Sequence, residues 1–331
     1  MLKQLVLCAA VVAGSVQLAA AQDVTLRAAH IESTDSATHR AYERFATLVD
    51  EKTEGAVAVE VFPAGQLGGL RDLYEGIKLG SVDLTSSGPD YTANLAPVMV
   101  VAALYYSYDD ADHADRALDG AFGDRLSEAL AREAGMRVLA WGELGFRSVF
   151  NTERAIETVD DFKGLKIRVP EAQLHILPMK ALGASPTPIP YAEVYTAMQT
   201  GIVDGAEGTP AVVKQQRFDE VSDYYSLTRH LYNPIHLVIS ARTFDALTED
   251  QQAAVTEAAR EAFTEQRREA RADNEAALEA LRSQDGIAVN EPEREAMRSA
   301  VEGTWAELIE PLGEEGQELL QLLLDARQPK S

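Results

Sequence analysis

The sequence contains a single cysteine, Cys8, among 331 residues. One thiol cannot form an internal disulfide, and it cannot build a cysteine-based metal site. The six histidines are dispersed, and the phosphate-loop, dinucleotide-binding, zinc-peptidase and serine-hydrolase motifs are all missing. We therefore expect no metal, no cofactor and no catalytic residues.

Positive charge is also scarce, since 30 basic residues stand against 53 acidic ones and the net charge is −23. Such a chain repels the phosphates of nucleic acids and of anionic lipids, so neither is expected as a partner. The same field repels a small anionic ligand. Binding an anion would therefore require a local arginine site.

Long apolar runs are lacking as well, and the nearest to one is at the start of the chain. Residues 1–21 contain Lys3, an apolar run from Leu5 to Val12, and three alanines before Gln22. This order is typical of a secretory signal peptide, and the run is too short to span a membrane. We predict export to the periplasm, cleavage before Gln22 and no direct membrane insertion.

The segment Phe162–Pro210 carries the most informative pattern. Apolar and basic residues alternate from Leu165 to Val169, which predicts a strand, and Pro170 ends it because proline has no N–H to donate. Arg168 therefore lies at the carboxyl end of a strand, where α/β sheets bind ligands. A guanidinium there suits a carboxylate. The alternative is an ordinary surface arginine.

Part of this pattern occurs twice. Leu73–Pro89 and Val194–Pro210 share a tyrosine, a glycine, a Val-Asp pair and a proline at equivalent positions. Each copy predicts a helix, a glycine cap and a short strand, which in the second copy would cover Ile202–Asp204. The repeat predicts two similar α/β halves that face each other across a cleft.

Other elements extend this α/β pattern. Asp23–Ala29 and Val57–Phe62 are predicted strands, Asp109–Ala134 is predicted to be helical, and a capping box at Thr248 opens a helix that runs to about Arg282. The middle of that helix is polar on nearly every face, so we expect it to be unburied and to brace the two halves.

Three segments together resemble one family: GLKIRVP (164–170), EVYTAMQTGIVDGAE (193–207) and FPAGQLGG (62–69). They are similar to the solute-binding proteins of TRAP (tripartite ATP-independent periplasmic) transporters. The resemblance implies an α/β, two-domain periplasmic binding protein, type II-like, with a central interdomain cleft and a long bridging helix. We expect domain I to comprise residues 22–145 plus 234–273, and domain II residues 146–233 plus 274–331.

The resemblance also implies a ligand site, in which Arg168 holds a carboxylate. Arg147 matches a frequent cleft arginine, although an interdomain or surface salt bridge is the alternative, and Gly88 replaces a glutamate of the sialic acid branch. His30 and Glu32 follow a strand end, but His30 could equally be a packed or solvated loop residue. The predicted ligand contacts are Arg168, Arg147, Glu207, His30, Glu32, Tyr91, Tyr191, Thr209 and Asn233.

The function that follows is capture of a small carboxylate-containing solute and its delivery to the membrane permease subunits of a TRAP transporter, by a monomeric receptor. Arginines with several hydroxyl-binding groups favour a sugar acid, such as the hexuronates glucuronate and galacturonate. C4-dicarboxylates, 2-oxo acids and a small amine remain alternatives. A secreted α/β enzyme acting on organic acids and an extracytoplasmic sensor domain are the other classes of function.

Overall fold

The computed structural model describes residues 24–327, so the predicted signal peptide and its cleavage site lie outside the described residues. Within that range the chain forms nine strands and twelve α-helices. The strands are β1 (Val24–Ala29), β2 (Val57–Phe62), β3 (Leu84–Ser87), β4 (Met136–Asn151), β5 (Lys166–Val169), β6 (Ser185–Pro188), β7 (Gly205–Gly208), β8 (Tyr224–Ser240) and β9 (Ala288–Asn290).

The helices begin and end close to the predicted positions where caps are present. They are α1 (Ala37–Lys52), α2 (Leu70–Leu79), α3 (Pro89–Thr92), α4 (Ala111–Leu118), α5 (Ala121–Ala134), α6 (Gln173–Ala181), α7 (Val194–Gln199), α8 (Pro210–Gln215), α9 (Ala241–Asp245), α10 (Glu249–Ser283), α11 (Glu295–Ile309) and α12 (Gly313–Asp325). The Thr248 capping box is confirmed. The predicted helix over Asp109–Ala134 is two helices, because Gly120 is extended and starts α5.

The sheet has two parallel wings joined by two long antiparallel strands. Its order is β2-β1-β3-β8-β4-β7-β5-β6, with β9 beside β8. In each wing the middle strand is parallel to both of its neighbours, whereas β4 and β8 run antiparallel along their whole length and pass from one wing to the other. The predicted two-domain α/β fold with a cleft between the wings is confirmed.

The two copies of the sequence repeat form equivalent structures. Gly80 and Gly201 both adopt left-handed backbone conformations, with φ of 81° and 71°, and β3 and β7 each begin four residues later. The predicted strand over Ile202–Asp204 is wrong, because the N–H of Ile202 bonds back to Ala197 O at 2.9 Å and completes the helix cap. Pairing with the sheet starts only at Gly205.

Helix α10 is 35 residues long and lies against β4, one of the two crossing strands. The predicted long helix is confirmed, but the expectation that its polar middle is unburied is wrong for one face. Gln266 is fully buried and pairs with both Glu143 N (2.9 Å) and Glu143 O (2.6 Å), and Arg267 donates to Trp141 O at 3.0 Å. Buried polar side chains are tolerated there because they hydrogen bond to backbone N–H and C=O groups of β4.

Apolar cores lie in both wings. Leu26, Phe45 and Phe263 pack in the first wing, and Phe150, Val194 and Met198 pack in the second. Helix α11 contacts α6, and α12 contacts α5, so the C-terminal helices reach elements of both wings. Across residues 24–327, none of the helices combines the length and apolar character needed to cross a membrane.

Candidate functional site

Arg168 is a buried cation at the carboxyl end of β5. Ile167 and Val169 point into the core, and the intervening Arg168 is 4% exposed, with Nε donating to Ile189 O at 2.8 Å. Among the ion pairs of residues 24–327, none includes Arg168. Burial lowers the pKa of Arg168 to about 10, so the guanidinium stays charged at neutral pH. A buried charge needs a partner, and a ligand carboxylate would supply it.

Arg147 and Glu207 form a buried ion pair where β4 and β7 meet. Arg147 Nη2 donates to Glu207 Oε1 at 2.5 Å and to Glu207 O at 2.9 Å, Nε donates to Oε2, and Nη1 donates to Asn233 Oδ1 at 2.9 Å. Burial alone would raise the pKa of Glu207, but the charge of Arg147 brings it well below the ordinary value. Arg147 therefore does form a salt bridge, but a buried one between two strands of the same wing, and not the interdomain or surface bridge of the alternative.

A histidine and a tyrosine extend this pair. His230 is fully buried, with Nε2 3.5 Å from Glu207 Oε2, and its ring centre is 4.9 Å from that of Tyr105. Burial lowers the pKa of His230 despite the nearby carboxylate, so the imidazole is neutral at neutral pH. The Arg147–Glu207 pair is thus flanked by a neutral histidine, which packs against Tyr105.

Sequence reasoning missed a second polar group in the cleft, made of Asp90, His175 and Tyr105. Asp90 follows β3 and His175 follows β5, and their side chains meet at 3.3 Å, while Tyr105 Oη lies 3.2 Å from His175 Nδ1. Burial alone would raise the pKa of Asp90, but hydrogen bonding to His175 and its charge lower it. The available signal was position, because Asp90 directly follows the proline of the first repeat copy.

Glu32 and Tyr191 belong to the same electrostatic environment. Burial raises the pKa of Glu32 to about 7, and the charge of Arg147 partly opposes this. Burial also raises the pKa of Tyr191, next to the charges of Glu32, Arg147 and Arg168. Glu32 follows β1 in the first wing, whereas Tyr191 follows β6 in the second. These predicted residues are therefore close enough to influence one another across the cleft.

The remaining predicted contacts each make a protein contact of their own. His30 is buried, its Nε2 is 3.1 Å from His39 Nδ1, and burial lowers its pKa to about 4. Tyr91 stacks on Tyr74 with 4.9 Å between ring centres, and the Thr209 hydroxyl caps α8. Within the described chain, His30 Nδ1 has no hydrogen-bond partner. His30 is therefore packed within the protein, and its contact with a ligand stays a prediction.

Gly88 is constrained by the polar groups around it. A Cβ at this position would collide with Asp90 Oδ1 and would lie 2.8 Å from Asn233 Nδ2. A larger residue would have to displace Asp90 from its place beside His175. A glutamate at position 88 would therefore not fit unless Asp90 moved.

Three proteins are similar to this chain along most of their length. The 2,3-diketo-L-gulonate-binding periplasmic protein of Escherichia coli is 33% identical over 277 residues, 84% of each chain. A TRAP periplasmic solute-binding protein of Roseobacter denitrificans, solved with β-D-glucuronate, is 30% identical with a TM-score of 0.87, and the match covers 91% of this chain and 99% of that one. A sugar acid binding protein of Advenella mimigardefordensis, solved with galactonate, is 31% identical with a TM-score of 0.86, covering 91% and 98%.

The family assignment follows from sequence and fold together. The sequence model described as bacterial extracellular solute-binding protein, family 7, matches residues 28–311. That range includes the second wing, the first wing apart from the start of β1, the crossing strands, α10 and every candidate ligand contact. The chain therefore belongs to the bacterial extracellular solute-binding proteins of family 7, the solute-binding proteins of TRAP transporters.

Proposed function

We propose that this protein is a periplasmic receptor that binds a sugar acid with one carboxylate in the cleft and delivers it to a TRAP permease. The observation that carries the proposal is Arg168, a buried cation at a strand end without a carboxylate partner in residues 24–327. A bidentate carboxylate would complete its hydrogen bonding and balance its charge. Hexuronates such as glucuronate and galacturonate are the first candidates, and the ligands named for the Roseobacter and Advenella proteins support this class.

The other groups of the cleft suit hydroxyls better than a second carboxylate. Asp90 and Glu32 offer acceptor oxygens, and Asn233 offers an amide. Arg147 is already balanced by Glu207, so it is not a second free clamp for an anion. A plain C4-dicarboxylate would bring a second negative charge toward these carboxylates.

A thermal-shift screen tests this function directly. Purified mature protein is heated with glucuronate, galacturonate, galactonate, malate, succinate and pyruvate, since a ligand that binds only the folded state raises the melting midpoint. We expect a sugar acid to give the largest shift, and Arg168→Ala to abolish it. A larger shift with malate, succinate or pyruvate than with all three sugar acids would contradict the proposal.

Three further measurements test the cellular role. Mass spectrometry of periplasmic protein should show a chain that begins at Gln22, and size-exclusion chromatography with light scattering should show a monomer. Incubation with the bound sugar acid should leave it chemically unchanged, because the receptor acts by capture and release. Turnover of the ligand by the purified protein would favour the secreted enzyme instead.

A further inference from the structure

Asp90 and His175 connect the two wings across the cleft. Asp90 lies in α3, the short helix that follows β3. His175 lies in α6, which follows β5. Their side chains are 85 residues apart in sequence and 3.3 Å apart in space. The pair lies where the carboxyl ends of the strands in both wings converge, which is the ligand-binding edge of such sheets.

His175 hydrogen bonds to Asp90 through one ring nitrogen and to Tyr105 through the other. An ionised carboxylate only accepts hydrogen bonds, so His175 Nε2 carries the proton that it donates to Asp90 Oδ2. The other ring nitrogen, Nδ1, makes a second hydrogen bond with the Tyr105 hydroxyl at 3.2 Å. The Asp90 carboxylate is thereby oriented and kept negative.

The Asp90 carboxylate has further capacity to accept hydrogen bonds. Among residues 24–327 its side chain receives a hydrogen bond from His175 alone, on Oδ2, although an ionised carboxylate offers about four lone-pair sites. The side chain is 21% exposed, so it is not sealed within the protein. A ligand hydroxyl is a neutral donor that could hydrogen bond to the unused oxygen lone pairs of Asp90.

Charge balance makes Asp90 selective. Glu207 compensates Arg147, and Arg168 can be compensated by one ligand carboxylate. A second ligand carboxylate near Asp90 would meet a like charge instead of a free cation. Like charges brought together in a partly desolvated site oppose binding strongly.

We propose that Asp90, oriented by His175 and Tyr105, is a specificity-determining residue that accepts a hydroxyl hydrogen bond from the ligand and excludes a second carboxylate. The receptor would thereby distinguish sugar acids with one carboxylate from aldarates, which carry one at each end. This inference rests on the proposed function, because it concerns the same cleft and ligand class.

Matched ligand pairs provide the test. Whichever of glucuronate, galacturonate and galactonate binds most tightly is titrated calorimetrically against the aldarate of the same carbon skeleton, glucarate or galactarate. The selectivity ratio is the Kd of the aldarate divided by that of the monocarboxylate. We expect a ratio of at least about tenfold for the wild-type protein, and a fall of at least about threefold in Asp90→Asn.

The control is Asp124→Asn, which makes the same charge change at an exposed position of α5 and should leave the ratio unchanged. A purely structural role for Asp90 would weaken both ligands alike, so an Asp90→Asn ratio within threefold of the wild type overturns the inference. Asp90→Ala repeats the comparison if Asp90→Asn does not fold. A wild-type ratio below about threefold overturns it without any variant.

Different outcomes overturn the proposed function and the role of Asp90. Wild-type protein that binds none of the three monocarboxylates overturns the proposed function, and the inference with it. Wild-type protein that binds one of them with an unchanged ratio in Asp90→Asn overturns the role of Asp90 alone.

Discussion

Arg147 donates to both carboxylate oxygens of Glu207, and the two side chains are 11% and 0% exposed. The pair is formed by neighbouring strands of the second wing, β4 and β7, and Asn233 of β8 accepts a further hydrogen bond from the same guanidinium. A cation held this firmly is part of the wall of the cleft. The ligand carboxylate is therefore left to Arg168.

The first prediction concerns the stability of this pair. Arg147→Ala leaves Glu207 buried without its main compensating charge, and loss of one partner of a buried ion pair costs about 3–5 kcal/mol. Urea denaturation followed by circular dichroism measures this loss in the free energy of unfolding. The control is Arg125→Ala, which removes an exposed pair with Glu318 and should cost less than about 1 kcal/mol. Equal stability of the two variants would contradict the buried-pair description.

The second prediction concerns pH and Glu32. Its pKa is raised from 4.5 to about 7 in the folded protein, so the folded state binds the proton more tightly than the unfolded state does. Glu32 therefore lowers the free energy of unfolding as pH rises between 4.5 and 7, by at most about 3 kcal/mol at about 1.4 kcal/mol per pH unit. The Glu32→Gln variant should gain stability relative to the wild type across that window.

The difference between the two proteins isolates Glu32 from other titrating groups. His30 and His236, with pKa values lowered to about 4 and about 3, act in the opposite direction because they cost stability as pH falls below 6.5. Their contributions cancel when variant and wild type are compared at each pH. A difference that stays flat from pH 4.5 to 8 would contradict the raised pKa of Glu32.

The third prediction concerns Gly145, where β4 passes from one wing to the other. Its φ of 102° disfavours other residues, and a Cβ would lie 2.7 Å from Asn274 Nδ2, which donates to Leu144 O at 2.8 Å. Gly145→Ala should lower the free energy of unfolding by about 1–3 kcal/mol through strain. Gly303→Ala, in α11 with open space around its Cα, should raise it by up to about 1 kcal/mol. The same sign for both variants would contradict the strain at Gly145.

Local sequence predicted the parts of the fold that depend on nearby residues. Asp83 and Asp204, matched in the repeat, are equivalent in space: each accepts the backbone N–H of the neighbouring strand, from Arg27 and Lys166 respectively, at 2.8 Å. Proline, glycine caps and alternation placed Arg168 at a strand end for the same reason. These features are encoded within a few residues of one another.

Contacts between distant segments could not be predicted in this way. Gln266 is 123 residues from Glu143, and nothing in its own helix indicates that a strand edge lies beside it. Periodicity therefore classed this part of α10 as exposed. The Asp90–His175 contact depends likewise on the way the two wings face each other, which a single sequence does not encode locally.

The most direct test of the central claim is calorimetric titration of the sugar acid selected by the thermal-shift screen into wild-type, Arg168→Ala and Arg168→Lys proteins. Removing one partner of a buried, hydrogen-bonded charge pair costs about 2–5 kcal/mol, so Arg168→Ala should weaken binding roughly 30-fold to several thousandfold. Arg168→Lys should restore little, because an ammonium cannot form two parallel N–H bonds to a carboxylate. Arg125→Ala serves as the matched control and should bind like the wild type. Folded Arg168→Ala protein with a Kd within about threefold of the wild-type value would contradict the account.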